Sequence, residues 1–349
     1  MKEFDQFIDQ LSEDAKARPQ WIQATVELTY GCNLRCVHCY NTTHEAKQEL
    51  TTEQVYRLLD EMAAQGCLWI GFTGGEVFTR RDACEIMRYA RSLGMVITIT
   101  TNATLITPAL ADQMAELDPY LVEISVYGAT ADSYESVTRI PGSYAHFVEG
   151  VDWLKERHIP ILLKLVLMTL NEHELEPMKD FARSRQLPYR IGTDIYPRVD
   201  GSKEPLMYRL SPARVFEIWR ENSGKPMQEA GGSLEGKCGS AGKLFDCLCG
   251  KSNAALTPHG RMNLCVCIHH PSYDVTAGSV EKGWQTLVKF VAAQKPGPAY
   301  ACSSCPIAFH CDRGSMDGWL DQKAFDAPCM PYFREVAEKK AMFIAQRES

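Results

Sequence analysis

The chain has 349 residues, enough for two or three domains with a sizeable core, and its 45% hydrophobic and 23% charged content is that of an ordinary globular protein. Its 37 basic and 44 acidic side chains give a net charge of −7 with no long run of one sign, which argues against a nucleic-acid binder. No segment approaches the roughly 18 apolar residues of a membrane span, and the charged stretch 1–18 has no signal-peptide core, so the expected location is the cytoplasm.

In chain order, 1–23 reads as a helical extension and 24–196 as alternating short apolar runs and amphipathic stretches. Strands are expected at 25–30, 68–72, 96–100, 121–126, 161–168 and 190–196. Helices are expected between them. The first, 52–65, is capped by Thr51 and carries Val55, Leu58, Leu59 and Met62 on one face. The second, 81–93, ends at Gly94, and others follow at 108–116, 144–156 and 174–185. Repeated strand–helix units imply an α/β fold with a parallel sheet and right-handed crossovers. The simplest such fold is a partial (β/α)6 TIM-like barrel, whose ligands gather at the C-terminal strand ends. The segment 197–235 changes character, with Asp200-Gly201-Ser202, a helix near 212–221 and Gly231-Gly232-Ser233, and reads as a bridge. Beyond it, 236–331 reads as a loop-rich domain held by its cysteines, and 332–349 as a closing amphipathic helix.

Fourteen cysteines need a reason in a chain this long, because a reducing cytosol disfavours disulfides. Zinc, iron–sulfur clusters or catalysis remain. Three lie within 32–39, Cys67 and Cys84 stand alone, and nine lie between Cys238 and Cys329. Cys67 borders a strand and Cys84 a helix, and both read as small core residues. Cys32, Cys36 and Cys39 share one tight loop directly after the first strand, with no fourth cysteine nearby. Three thiolates suit a [4Fe–4S] cube that keeps one iron open, whereas a closed zinc site wants four ligands.

This spacing, with His38 before the last cysteine and Tyr40 after it, resembles the signature of the radical S-adenosylmethionine (SAM) superfamily. The resemblance implies that the open iron chelates the amino and carboxylate groups of SAM. An electron from the cluster then yields a 5′-deoxyadenosyl radical that abstracts hydrogen from the substrate. Gly74, Gly75 and Glu76, after the second strand, look like the family motif for the SAM amino group. Asn102 (in Thr101-Asn102) and Ser125 resemble further SAM contacts, Arg139 the partner of the SAM carboxylate, and Met168 a residue packing on the adenine. Tyr40 joins these cofactor-binding candidates by its place beside Cys39.

The later cysteines run Cys238, Cys247, Cys249, Cys265, Cys267, Cys302, Cys305, Cys311 and Cys329, and paired C-x2-C elements of equal spacing, which would favour zinc, are absent. With Ala277-Gly278-Ser279-Val280 and Trp284 between their two halves, they look like the SPASM domain of radical SAM peptide maturases, a small domain with a β-hairpin and loops. That resemblance implies one or two auxiliary [4Fe–4S] clusters. Cys302, Cys305, Cys311 and Cys329 would hold the outer one. Cys249 and Cys265 would hold the inner one, with Cys238 or Cys247 upstream. Where the family often has one further cysteine this chain has Ser315, which leaves the inner cluster to recruit Cys247 or Cys267 or to keep an iron open. His269 and His270 follow the hairpin as further candidates, or as surface histidines.

For catalysis, Asp194, Tyr196 and Arg198 at the mouth end of strand six and Tyr127 at that of strand four could face substrate or form the rim. Sulfatase-maturating relatives carry an aspartate where this chain has Val266, which counts against that activity. The first expectation is therefore modification of a ribosomally made precursor peptide by crosslink, excision or epimerisation. A separate small leader-binding protein is expected because the first strand begins by Thr25, and flavodoxin or ferredoxin is expected as electron donor. Two alternatives stand beside it: a radical enzyme acting on a porphyrin side chain, and a noncatalytic zinc-binding interaction protein.

Overall fold

The computed structural model describes residues 14, 18–222, 244–245 and 247–348. Six strands, β1 (Gln23–Glu27), β2 (Trp69–Thr73), β3 (Val96–Thr101), β4 (Leu121–Val126), β5 (Ile161–Val166) and β6 (Tyr189–Gly192), pair in parallel in chain order. The crossovers carry α1 (Thr52–Ala64), α2 (Ala83–Ser92), α3 (Pro108–Leu117), α4 (Ala131–Thr138), α5 (Ser143–Glu156) and α6 (Leu175–Ser184). Thr51 caps α1 with a reciprocal Gln54 bond, and its Val55, Leu58, Leu59 and Met62 are buried.

Strand alternation sorts the residues by face. Ile70, Phe72, Ile97, Ile99, Val122 and Ile124 are buried under the helices. Thr98, Thr100, Glu123, Ser125 and Lys164, at the alternate positions, are half-buried and point inward. There Glu123 meets Lys164 at 3.4 Å and Arg190 at 3.2 Å. The lumen is polar where many barrels are packed with aliphatic layers.

Four differences from the sequence expectations have local causes. Strand five stops at Val166 because Asn171 takes over its backbone, accepting from Met168 N at 2.8 Å and donating to Val166 O at 2.9 Å. Strand six stops at Gly192, so Asp194 and Tyr196 lie in the loop beyond it. The unexpected helix α4 has little apolar periodicity and begins at a cap, Thr130 Oγ1 accepting from Ser133 N. Residues 20 and 22, assigned to a helical extension, instead donate to the carbonyls of Lys251 and Ser252. Most of 1–17 lies outside the described residues.

The largest difference is beyond the bridge, which contains α7 (Pro212–Asn222). The strand β7 (Asn253–Leu256) pairs in parallel with the free side of β1, and β8 (Arg261–Cys265) and β9 (Ile268–Asp274) follow antiparallel. A nine-stranded sheet of order β6-β5-β4-β3-β2-β1-β7-β8-β9 results. The cysteine region also has α8 (Val280–Ala293), α9 (Ser315–Gln322) and α10 (Pro331–Glu348), so it continues the barrel sheet and is more regular than a loop-rich module. No helix among the described residues is long and apolar enough to cross a membrane.

Candidate functional site

The loop after β1 folds because its backbone is held from three sides. Cys32 N donates to His44 O, Arg35 N to Thr138 O and Val37 N to Val137 O, while Cys39 N closes a tight turn on Cys36 O at 3.1 Å. Leu34 N points at the Cys32 sulfur at 3.4 Å. Burial pushes the Cys32 thiol up to about 12 and holds those of Cys36 and Cys39 high as well, with the three sulfurs close enough to raise one another. Thiols so placed stay protonated unless a cation takes the proton's place.

The Gly74-Gly75-Glu76 segment packs against this loop. A Cβ on Gly74 would meet Thr29 O at 2.2 Å, and one on Gly75 would meet Gly31 O at 2.4 Å. The glycines are thus required for close approach to the chain itself, where the sequence suggested approach to a ligand. Glu76 is buried, and its carboxylate accepts from Thr101 Oγ1 at 2.7 Å, Asn102 N at 2.7 Å and Phe78 N at 3.3 Å. Asn102 Nδ2 in turn donates to Asn33 Oδ1 at 3.1 Å on the cysteine loop. The termini of β2 and β3 and the cysteine loop are therefore one hydrogen-bonded unit.

The other candidates are spread around it. Ser125 points into the lumen beside Tyr127, with which it shares a side-chain hydrogen bond. Tyr127 does not face open substrate space: it is buried, its ring is 5.0 Å from that of His38, and its hydroxyl bonds the Cys36 thiol. Arg139 adopts a left-handed conformation, φ 62°, as the C-cap of α4. Met168 is completely buried, the core alternative for that residue. Asp194 is exposed and lies among Asp317, Arg209 and Tyr332, on the C-terminal side of the mouth. Tyr196 is half-buried, and Arg198 pairs with Glu204 at 3.1 Å while its charge also reaches Cys39.

Sequence reasoning missed Glu27. It ends β1, is 1% exposed, and accepts from Tyr40 Oη at 3.0 Å and Tyr30 Oη at 3.4 Å. Burial raises its carboxyl to about 7 against the lowering effect of the two phenols. The signal was present: one carboxylate in an otherwise uncharged strand, with tyrosines three and thirteen residues later. Tyr40 also lies near Cys267, so its ring stands between the first loop and the later cysteines.

Among those, Cys249 contacts both Cys247 and Cys265. Ser315 begins α9 and accepts from Phe245 N at 3.0 Å, two residues before Cys247. Cys302, Cys311 and Cys329 influence one another, and Cys305 is near Cys329. Arg313 Nη1 reaches the Cys302 sulfur at 3.4 Å. Cys238 lies outside the described residues. Cys67 and Cys84 are buried in the core. His269 Nε2 is bonded to Val266 O at 3.1 Å, and His270 stacks on Trp319 at 4.7 Å. Between the two cysteine regions a cleft of about 240 Å³ is lined by Tyr30, Thr43, Val199, His259, Asn263 and Ser272, among others.

The geometry fits iron–sulfur chemistry. Three buried thiols crowd one loop, and two buried polar atoms there, His38 Nδ1 and the Tyr134 hydroxyl, have no partner among the described residues. No three His, Cys, Asp or Glu side chains among the described residues converge on a single-ion site; a four-iron cube spaces its ligands more widely.

The family model for the Radical SAM superfamily matches residues 26–182. The AdoMet-dependent heme synthase of Methanosarcina barkeri is 31% identical over 159 residues, 45% of this chain, so that the match spans about half (46%) of that relative. The mycofactocin maturase MftC of Mycobacterium ulcerans is 27% identical over 310 residues, covering 84% of this chain and 82% of that one. Among solved structures, Streptococcus suis SuiB bound to precursor peptide SuiA superposes with a TM-score of 0.69 at 14% identity, over 90% of this chain and 76% of that one, which shows a shared fold. The matched profile and the three-thiol loop show that residues 26–182 of this chain carry a radical SAM domain, and the likeness to SuiB shows that the shared fold continues into the C-terminal cysteine region.

Proposed function

We propose that this enzyme modifies a ribosomally synthesised precursor peptide by crosslinking, excision or epimerisation. One observation carries the reading: the similarity to a mycofactocin maturase covers 84% of the chain, too much to be confined to the barrel, whereas the heme synthase match covers 45%. The radical SAM domain brings SAM and a [4Fe–4S] cluster, which when bound supply the one-electron chemistry that removes a hydrogen atom from substrate.

In this reading Cys32, Cys36 and Cys39 hold the first cluster. Glu76 fixes Asn102 and the Gly74-Gly75 backbone toward SAM, with Ser125, Arg139 and Tyr40 around it. Cys302, Cys305, Cys311 and Cys329 hold an outer auxiliary cluster. Cys247, Cys249 and Cys265 hold an inner one, with Cys267 or Cys238 as the further candidate. The contact of Cys249 with both Cys247 and Cys265 supports that set. The peptide approaches through the polar cleft beside Tyr30, and the buried Glu27 supplies a carboxyl able to exchange a proton near neutrality. A separate leader-binding protein and a flavodoxin or ferredoxin complete the system, in the cytoplasm.

The test is anaerobic incubation of reconstituted enzyme, SAM and dithionite with a precursor peptide, and in parallel with an iron porphyrin, followed by mass spectrometry. A mass change in the peptide that Cys32→Ala abolishes is expected. Change in the porphyrin alone would instead establish the heme-type reading.

A further inference from the structure

The helix α4 is docked on the first cysteine loop by the Arg35–Thr138 and Val37–Val137 backbone bonds, at 2.9 and 3.0 Å. Just before these contact residues on α4, Tyr134 is fully buried, its ring stacked on Phe147 at 4.9 Å and lying 5.6 Å from that of Tyr127. Its hydroxyl has no hydrogen-bond partner among the described residues. Tyr127 in turn stands 5.0 Å from the His38 ring, which sets Tyr134 on the face of α4 that the cysteine loop covers. A buried donor with no acceptor is destabilising, and phenylalanine would fill the same space without it. The hydroxyl calls for an acceptor that the described residues do not provide. Glu76 is not that acceptor, since no hydrogen bond joins it to the Tyr134 hydroxyl.

We propose that Tyr134 is a positioning residue whose O–H donates to sulfur at the Cys36 corner of the first cluster and thereby raises that cluster's reduction potential. The physical reason is electrostatic: reduction adds negative charge to the sulfurs, and a donor aimed at them stabilises the reduced form more than the oxidised one. The inference rests on the reading of Cys36 as a cluster ligand. Tyr144 provides the contrast, because its hydroxyl on the neighbouring helix is already bonded to Ala129 O.

The experiment compares wild type, Tyr134→Phe and Tyr144→Phe, each reconstituted anaerobically and matched for iron and sulfide. Potentiometric titration followed by electron paramagnetic resonance reads the first cluster, identified as the signal that SAM perturbs. Tyr134→Phe is expected to shift the midpoint to more negative potential, lowering the reduced-to-oxidised ratio at the wild-type midpoint about tenfold, the effect of one charge-assisted hydrogen bond. Tyr144→Phe is expected to leave it in place. Replacing Tyr134 with a fluorinated tyrosine, which keeps the shape and strengthens the donor, is expected to move the midpoint the other way. It also covers the case in which Tyr134→Phe loses its cluster. An unchanged midpoint in both Tyr134 variants overturns the proposal, as does an unchanged midpoint with weakened SAM binding. A wild-type protein with no SAM-sensitive signal overturns the underlying reading instead.

Discussion

At the scale of single residues, Glu27 shows how burial converts an ordinary carboxylate into a group that works near neutrality. Its carboxyl rises from 4.5 to about 7 because desolvation outweighs the donors Tyr40 and Tyr30. A group that holds its proton more tightly when folded gives its full stabilisation below pH 4.5 and loses it as pH climbs to 7. The window is about 2.5 units wide, hence roughly 3 kcal/mol of pH-dependent stability. Infrared difference spectra across this range should show a protonated carboxyl band disappearing with a midpoint near 7, and Glu27→Gln should lack it. A band that titrates unchanged in the variant would assign it elsewhere. Ser315 offers a second residue-scale test. Its hydroxyl sits at the start of α9 on Phe245 N, close in sequence to Cys247 and Cys249. Ser315→Cys should add a thiolate to the inner set and raise the iron retained after dilution into chelator, whereas equal retention would place that side chain outside the set.

At the scale of elements, the cysteine loop and the ends of β2 and β3 behave as one unit because two glycines let backbones touch. Gly75→Ala forces a Cβ to 2.4 Å from Gly31 O, a contact only backbone movement can relieve. Overpacking of this kind costs about 1–3 kcal/mol or more, and it falls on the loop that holds Cys32. Gly66→Ala, at φ 86° with open space around it, carries only the strain of a left-handed alanine, about 1 kcal/mol. Reconstituted Gly75→Ala should therefore lose most of its iron while Gly66→Ala keeps it, as iron analysis would show. These elements were largely legible in the sequence: β4 needs no adjustment, and the Thr51 cap and the buried face of α1 are as the pattern implied. The misses also have physical causes. The residues of α4 carry no clear apolar stripe, and its position comes from Thr130, Glu174 and the cysteine loop. The strand-six overrun came from carrying the strand on to 196, when Gly192 had already ended the ladder. For the site, the first three cysteines and their neighbours could be read from spacing. Glu27 left a faint cue in its charge, but its importance lies in burial, and that of Tyr134 in burial and a hydroxyl without a partner among the described residues.

At the scale of the whole molecule, the pairing of β7 with β1 decides how the two cysteine regions are held in register. Such a contact joins residues about 230 apart and leaves no local pattern, which is why the sequence suggested a separate domain. Once formed, it is reinforced from both sides. Trp21 stacks on Trp284 of α8 at 5.4 Å and 12°, and Glu61 of α1 accepts from Val280 N at 2.8 Å, capping α8 from the barrel. Removing everything after the bridge would strip β1 of a hydrogen-bonded neighbour and expose Ala24 and Val26 beside an open edge, a template for aggregation. The barrel and the C-terminal region should therefore unfold together. Far-ultraviolet circular dichroism, which follows the barrel helices, and fluorescence, which includes the Trp21–Trp284 stack, should give coincident denaturation curves. Trp284→Ala should lower both midpoints together, with a loss of about 3–5 kcal/mol for a large buried aromatic. Two separated transitions, or a fluorescence midpoint that falls while the helical signal stays in place, would mean that the regions are stable independently. In that case the spacing between the first cysteine loop and Cys249 would be set by something other than the shared sheet.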